Sequence, residues 1–196
     1  MYKINCFFVS FGIKNMESAH FFNNKPVVVI MGVCGCGKST IAKKLAYKLQ
    51  LHFLEGDDFH PASNIEKMSN GIGLTDKDRW PWLDALGEAI RIKNNDENSG
   101  VILSCSALKR AYRERLSTSS GVPILYIYLH GSRETLLKRM GSRANHYMPS
   151  SLLDSQLDTL EIPEEDEIAF TISIEKSISE IVKESILKIN SMRSLD

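Results

Sequence analysis

The stretch Gly32-Val33-Cys34-Gly35-Cys36-Gly37-Lys38-Ser39-Thr40 joins spaced glycines to a lysine and two hydroxyls. It fits G-x-x-x-x-G-K-[ST], a loop whose backbone N–H groups turn toward phosphate oxygens, with a helix N-terminus adding positive potential. Lys38 can reach the outer phosphates of a nucleotide, and the Ser39 hydroxyl can ligate Mg2+. Glu55 and Asp57 are spaced i, i+2 on an extended segment, so they point the same way. Asp57 is the candidate for taking a proton from an acceptor hydroxyl, and Glu55 for holding Mg2+ through water. Asp58 competes for either role. Arg79, Lys109 and Arg113 follow strand ends or open helices, and cations grouped there fit an anionic acceptor, because guanidinium forks recognise carboxylates and phosphates. Arg139 and Arg143, spaced i, i+4, enter a polar segment, 143–148, that can close over a nucleotide and bring an arginine to the base or the γ-phosphate. A phosphate cradle, a metal ligand, an oriented acceptor and surrounding cations are the requirements of phosphoryl transfer.

These residues need a scaffold that brings them together. Val27-Val28-Val29-Ile30-Met31 is a continuous apolar run, the pattern of a strand buried on both faces. Ile41, Leu45 and Leu49, with Lys43, Lys44 and Lys48 between them, make the amphipathic helix after the loop. His52 to Glu55 reads as a second strand, ending where Gly56-Asp57-Asp58 must turn. Pro61 can open a helix that runs to about Met68, and Asn70-Gly71-Ile72-Gly73 breaks it. Thr75 to Asp78 starts a helix with Trp82, Leu83, Leu86 and Ile90 on its apolar face. Asn94 to Gly100 is a polar loop. Strands follow at Val101 to Cys105, Ile124 to Leu129 and Ile168 to Ile172. Helices lie between and after them: Ala107 to Leu116; from a Ser132 cap through Leu136, Leu137 and Met140; through Leu152, Leu153, Gln156, Leu157 and Leu160; and from Ile178 to Ile189. Strands alternating with helices predict an α/β protein, with a five-stranded parallel sheet covered by helices on both faces. Ligands of such sheets bind outside the carboxyl ends of the strands.

Length and composition exclude several classes. The 196 residues suffice for one α/β domain with a real core. Lys+Arg and Asp+Glu are 24 each, a formal net charge of +0, so bulk charge favours neither nucleic acid nor membrane partners. The four cysteines, Cys6, Cys34, Cys36 and Cys105, have no CxxC spacing and read as reduced thiols, which points to the cytoplasm. No run is long enough to span a membrane. Residues 1–25 differ from the rest: the apolar patch Cys6-Phe7-Phe8-Val9-Ser10-Phe11 is short for a signal peptide and lacks a clear cleavage site. They are expected to be a poorly ordered extension, with Met16 an alternative start. Residues 26–192 are expected to form one domain, with an acceptor segment at about 57–95 and a lid at about 139–150.

The chain also resembles a known family, the small P-loop gluconokinases, relatives of shikimate kinase and the nucleoside monophosphate kinases. The resemblance covers about residues 27–190. It rests on Met31-Gly32-Val33, on Gly56-Asp57-Asp58-Phe59-His60-Pro61 with Asn64, Lys67, Met68 and Gly71, and on Asp78-Arg79-Trp80-Pro81-Trp82-Leu83. Cys105-Ser106-Ala107-Leu108-Lys109 with Tyr112-Arg113, His146-Tyr147-Met148, and Gln156 with Thr159-Leu160-Glu161 complete it. The family implies a three-layer P-loop kinase fold with acceptor and lid insertions, and transfer of the γ-phosphoryl group of ATP to the 6-hydroxyl of D-gluconate with Mg2+. It implies that Asp57 orients or deprotonates that hydroxyl, that Glu55 stands in the outer sphere of the metal, and that Arg79 faces the acceptor carboxylate. Arg139 would lie by the adenine and Arg143 by the phosphates. His60, Ser106 and Gln156 would suit the hydroxyls of gluconate, beside Lys109 and Arg113.

Some residues depart from the family pattern. Cys34 and Cys36 stand where serines are usual, Asn145 where a glycine precedes the lid histidine, and Gly73 where a proline is usual. The loop position beside Lys38 and a helix N-terminus favours thiolates, so Cys34 and Cys36 are expected to be reactive. Other readings are a kinase of another small acid such as shikimate, a nucleotide kinase, and a silent nucleotide-binding protein. A GTP-binding switch would need a base-reading N-K-x-D segment, which is absent. Its D-x-x-G match, Asp84 to Gly87, lies inside an amphipathic pattern. The number of subunits is left open, a homodimer included.

Overall fold

The structure, a computed structural model, describes residues 26–95, 100–141 and 150–193. The 1–25 extension, with Cys6 and Met16, lies outside the described residues. So do Arg143, Asn145, His146, Tyr147 and Met148 of the expected lid.

Strand β1 (Val27–Met31) leads through the glycine loop into α1 (Lys38–Leu49), followed by β2 (His52–Glu55), α2 (Ala62–Ser69) and α3 (Asp76–Asn94). Then come β3 (Val101–Ser104), α4 (Arg110–Ser120), β4 (Leu125–His130), α5 (Arg133–Gly141), α6 (Ser150–Thr159), β5 (Ala169–Ser173) and α7 (Ile178–Arg193). The sheet has five strands in the order β2-β3-β1-β4-β5, and every pairing is parallel. The expected α/β architecture is therefore present.

Every residue of β1 is buried, because successive side chains of this central strand enter two different cores. Val28 and Ile30 join Ile102, Ile127, Ile41, Leu45, Leu136 and Ile181, a core roofed by α1, α5, α6 and α7. Val27, Val29 and Met31 join Leu103, Tyr128, Leu83, Leu86, Tyr112 and Leu116 under α3 and α4. Helix, sheet and helix thus make three layers. The helices after β1 and β4 cover one face, and those after β2 and β3 cover the other. The direction of winding reverses between β1 and β3, which opens a crevice at their carboxyl ends.

Two elements differ from expectation in ways that shape this crevice. Gly56–Phe59 forms one turn of 3-10 helix, not a bare turn. Helix α4 begins at Arg110 and not at Ala107. Ala107 sits at a φ of 43°; the Ser106 carbonyl accepts from Gly32, the Ala107 carbonyl from the Arg113 side chain, and the Leu108 carbonyl from Arg113 and the Glu161 N–H, so the chain is held out of the helix until Arg110. Helix α3 starts as its sequence indicates: Thr75 accepts from the Asp78 N–H, while the Asp78 carboxylate accepts from the Thr75 N–H at 2.8 Å. Leu83, Leu86 and Ile90 are fully buried. Each such side chain stabilises by about 1.5–3 kcal/mol, so tertiary packing holds α3 despite Pro81 inside it.

Candidate active site

The glycine loop fills the β1 side of the crevice. Gly32, Gly35 and Gly37 have φ of 136°, 80° and 95°, a region that L side chains rarely adopt. A Cβ on Gly32 would also fall 2.9 Å from the Leu129 carbonyl oxygen. Gly37 precedes α1, and no side chain caps that helix, so its first N–H groups suit an anion. The Lys38 ammonium bends back to donate to the Val33 carbonyl at 3.0 Å. Thr40 lies exposed in the first turn of α1. The loop is tied to β3 at two points: the Gly32 N–H donates to the Ser106 carbonyl at 3.3 Å, and the Ser39 and Ser104 hydroxyls are 3.3 Å apart.

The acidic residues stand across β3. Glu55 ends β2 and pairs in register with Ser104. Ser104 therefore lies between the carboxylate and the Ser39 hydroxyl. A Cβ on Gly56 would fall 2.4 Å from the Ser104 carbonyl oxygen, so only glycine allows the chain to pass this close. The buried Trp82 indole N–H donates to the Gly56 carbonyl at 2.7 Å and fixes the turn that presents Asp57 and Asp58 to solvent. The Cys105 thiol lies beneath. Burial pushes it up to about 12, against the charge of Lys38 and with the charges of Asp57 and Glu55. Lys38, Asp57 and Glu55 thus all act on one sulfur. Hard oxygen donors at Ser39, Ser104 and Glu55 suit Mg2+, which takes few protein ligands beside a nucleotide.

The expected acceptor residues sit on or beside α2, α3 and α4. The His60 ring stacks on Trp82 at 4.2 Å and 14°. The buried Asn64 amide donates to the Asp78 carbonyl at 2.8 Å and lies 3.4 Å from His60 Nδ1. Burial lowers the His60 pKa most, with Asp57 opposing and Arg79 adding to the effect. His60 therefore lies within the field of both residues and is neutral near pH 7. Arg79 donates to the Leu74 carbonyl at 2.5 Å and to the Tyr112 hydroxyl at 3.3 Å, with its guanidinium 5.4 Å from the Tyr112 ring centre. Lys109 bonds both Asp76 carboxylate oxygens at 3.0 Å. The Tyr112 hydroxyl donates to the same carboxylate, and these bonds, Tyr112 first, hold Asp76 below the usual range. Arg79 and Lys109 thus meet where α3 and α4 begin. Ser106 is half-buried beside the loop.

Two of the expected acceptor residues are engaged by the protein itself. Arg113 is 2% exposed. Its guanidinium forks onto Glu167 at 2.5 and 2.7 Å and donates to the carbonyls of Ala107, Leu108 and Glu161. Facing inward with its donors engaged, Arg113 holds the fold together and does not face an acceptor. Gln156 reaches the glycine loop, where its side-chain oxygen accepts from the Cys34 N–H at 2.6 Å. Arg139 donates to the Ile174 carbonyl at 2.5 Å, just past β5. Of the loop thiols, Cys36 is buried in the core and out of reach of reagents. Cys34 is half-buried, its sulfur 3.6 Å from Met140 Sδ. Sequence reasoning missed Ser104, Asp76 and Tyr112 as site-builders. For Ser104 a signal existed: it is a hydroxyl ending an otherwise apolar strand.

Known proteins share the sequence and fold that carry these residues. A family model described as an AAA domain matches residues 27–163. A probable gluconokinase of Schizosaccharomyces pombe is 49% identical over 156 residues, 77% of this chain and 81% of that protein. The gluconokinase of Gluconobacter oxydans is 45% identical over 159 residues, 81% of this chain and 88% of that one. The chain belongs to the gluconokinase family. A crystal structure of a gluconokinase from Sinorhizobium meliloti 1021, 42% identical, superposes on 87% of this chain and 95% of its own with a TM-score of 0.78. The three-layer fold around the glycine loop is therefore the fold of gluconokinases, and this member binds a nucleotide, as its P-loop implies.

Proposed function

We propose that this protein is an ATP-dependent gluconate kinase, which moves the γ-phosphoryl group of ATP to the 6-hydroxyl of D-gluconate and yields 6-phospho-D-gluconate. The observation that carries the reading is the meeting, at one crevice, of the phosphate loop, the Glu55–Asp57 turn and the Arg79–Lys109 cluster, in a chain with close gluconokinase relatives. The loop from Gly32 to Thr40 holds the phosphates, and Lys38 swings from the Val33 carbonyl to the outer phosphates. Asp57, exposed at a turn anchored by Trp82, orients the acceptor hydroxyl and takes its proton. Arg79 meets the gluconate carboxylate, Lys109 supports it at the rim, and neutral His60 and Ser106 bond acceptor hydroxyls. By the family resemblance, Arg139 would serve the adenine and Arg143 the phosphates. Ser39 and Glu55, on either side of Ser104, would hold Mg2+, which neutralises phosphate charge when bound. Among the described residues no helix is long and apolar enough to cross a membrane. We place the enzyme in the cytoplasm, where the thiols of Cys34, Cys36 and Cys105 stay reduced.

The test is coupled ADP release with MgATP and gluconate, shikimate, AMP or no acceptor, with the product identified by phosphorus NMR. Gluconate-dependent turnover far above the others is expected. A rate with saturating gluconate no higher than that with buffer would refute the reading.

A further inference from the structure

Gln156 stands 122 positions from Cys34, yet its side chain accepts from the Cys34 backbone N–H at 2.6 Å. Only the amide oxygen can meet a backbone N–H, so the orientation of the amide is determined. Its helix, α6, is anchored by Leu153, which is fully buried in the same core as Leu136 and Met140 of α5. Helix α5 presses on the loop from another direction. A Cβ on Gly35 would fall 2.8 Å from Met140 Cγ and 3.2 Å from the Leu136 carbonyl, and the Cys34 sulfur lies 3.6 Å from Met140 Sδ. The first half of the loop is therefore held between two helices, while its second half is held by α1. A cradle of N–H groups binds phosphate best when aligned beforehand, since ordering it at the moment of binding subtracts from affinity.

We propose that Gln156 is a positioning residue for the phosphate loop, acting on nucleotide affinity and not on the acceptor. This rests on the nucleotide reading of the loop given above. The packing of Met140 against Gly35 sets the height of the loop, and the Gln156 bond sets the direction of the Cys34 peptide. Because Gln156 is only half-buried, its side chain can be changed without opening the core.

The experiment titrates adenosine, MgADP and MgATP into the parent, Gln156→Met and Gln156→Glu by calorimetry, and measures gluconate KM alongside. Methionine keeps the length but cannot accept the bond. Gln156→Met is expected to weaken ADP and ATP about fivefold to tenfold, as loss of one hydrogen bond implies, with adenosine binding unchanged. Glutamate keeps an acceptor but sets a negative charge near the phosphates, so its weakening is expected to grow from ADP to ATP. Gluconate KM should stay within about threefold in both variants. Hydrogen exchange on the parent adds a measurement that needs no variant: the Cys34 amide should be protected before any nucleotide is added. A rise in gluconate KM with unchanged ATP binding would make Gln156 an acceptor contact and overturn the proposal. Equal weakening of adenosine, ADP and ATP, or an unprotected Cys34 amide, would also overturn it. A parent that binds no ATP would remove the nucleotide reading itself, and the proposal with it.

Discussion

Replacing Arg113 by methionine should damage stability and spare substrate recognition. The pair with Glu167 is buried on both sides, with side-chain exposures of 2% and 10%. Removing one partner of such a pair destabilises by about 3–5 kcal/mol, because the remaining charge is left unpaired. For a domain of this size each kcal/mol lowers Tm by about 2–4 °C, so a fall of about 6–20 °C is expected by calorimetry. The double variant Arg113→Met with Glu167→Leu removes both charges and should recover part of the loss. Recovery stays partial because the carbonyls of Ala107 and Glu161 lose their Arg113 donor, while Leu108 keeps the Glu161 N–H, at about 1–3 kcal/mol for each one kept from water. Acid provides a second readout. Burial pushes the Glu167 carboxyl up, but Arg113 and the Glu164 N–H outweigh it and the pKa is lowered. A lowered folded value means stability that is present above the unfolded pKa, about 4.3, and is lost as pH falls through the folded one. The parent should therefore lose stability on acidification below about pH 4, and Arg113→Met should show a shallower loss. A Tm within about 2 °C of the parent, together with a gluconate KM raised tenfold or more, would refute the assignment and return Arg113 to the acceptor.

Asp57→Asn should lower kcat by about a hundredfold or more with ATP affinity retained; near-normal turnover would move the role to Asp58. Arg79→Ala should raise the gluconate KM about tenfold or more, as loss of a charge-assisted bond implies, while the ATP KM stays within about threefold; a parallel rise in both would place Arg79 away from the carboxylate. His60 is held below its usual 6.5, chiefly by burial, so the folded state favours the neutral ring. Its contribution to stability is full above 6.5 and falls as pH drops through the lowered value. A Tm that rises between pH 5 and 6.5 in the parent, with a flatter profile in His60→Gln, is the expected outcome; identical slopes would sink it.

Much of this molecule can be read locally. The glycine positions with positive φ, the alternating cores of β1 and the Thr75–Asp78 cap depend on neighbours within a few residues, so their spacing reveals them. Strand limits agree within a residue, as at β2 and β3, because apolar runs end where burial ends. The start of α4 was misplaced because the distant Gly32 and Glu161 N–H groups claim the Ser106 and Leu108 carbonyls before it. The partners of Arg113 and Gln156 were not legible for the same reason: Glu167 lies 54 positions from Arg113 and Cys34 lies 122 from Gln156, and no local pattern encodes either meeting. Lys109 and Arg79 both reach Tyr112, and Asp76, which bonds Lys109 and Tyr112, passed for an ordinary helix residue.

Strand β3 follows β1 and β2 in the chain but lies between them in the sheet. A ribosome therefore releases the phosphate loop well before the strand that supports it. Until Ser104 has emerged, β1 and β2 have no common neighbour, and the edges that β3 will pair carry open hydrogen-bonding groups. In that interval the nascent first half exposes unpaired strand edges and lacks the strand that its loop is tied to, conditions under which aggregation competes with folding. Substitutions that weaken β3 should therefore lower the yield of folded protein in the cell more than they lower the activity of the molecules that succeed.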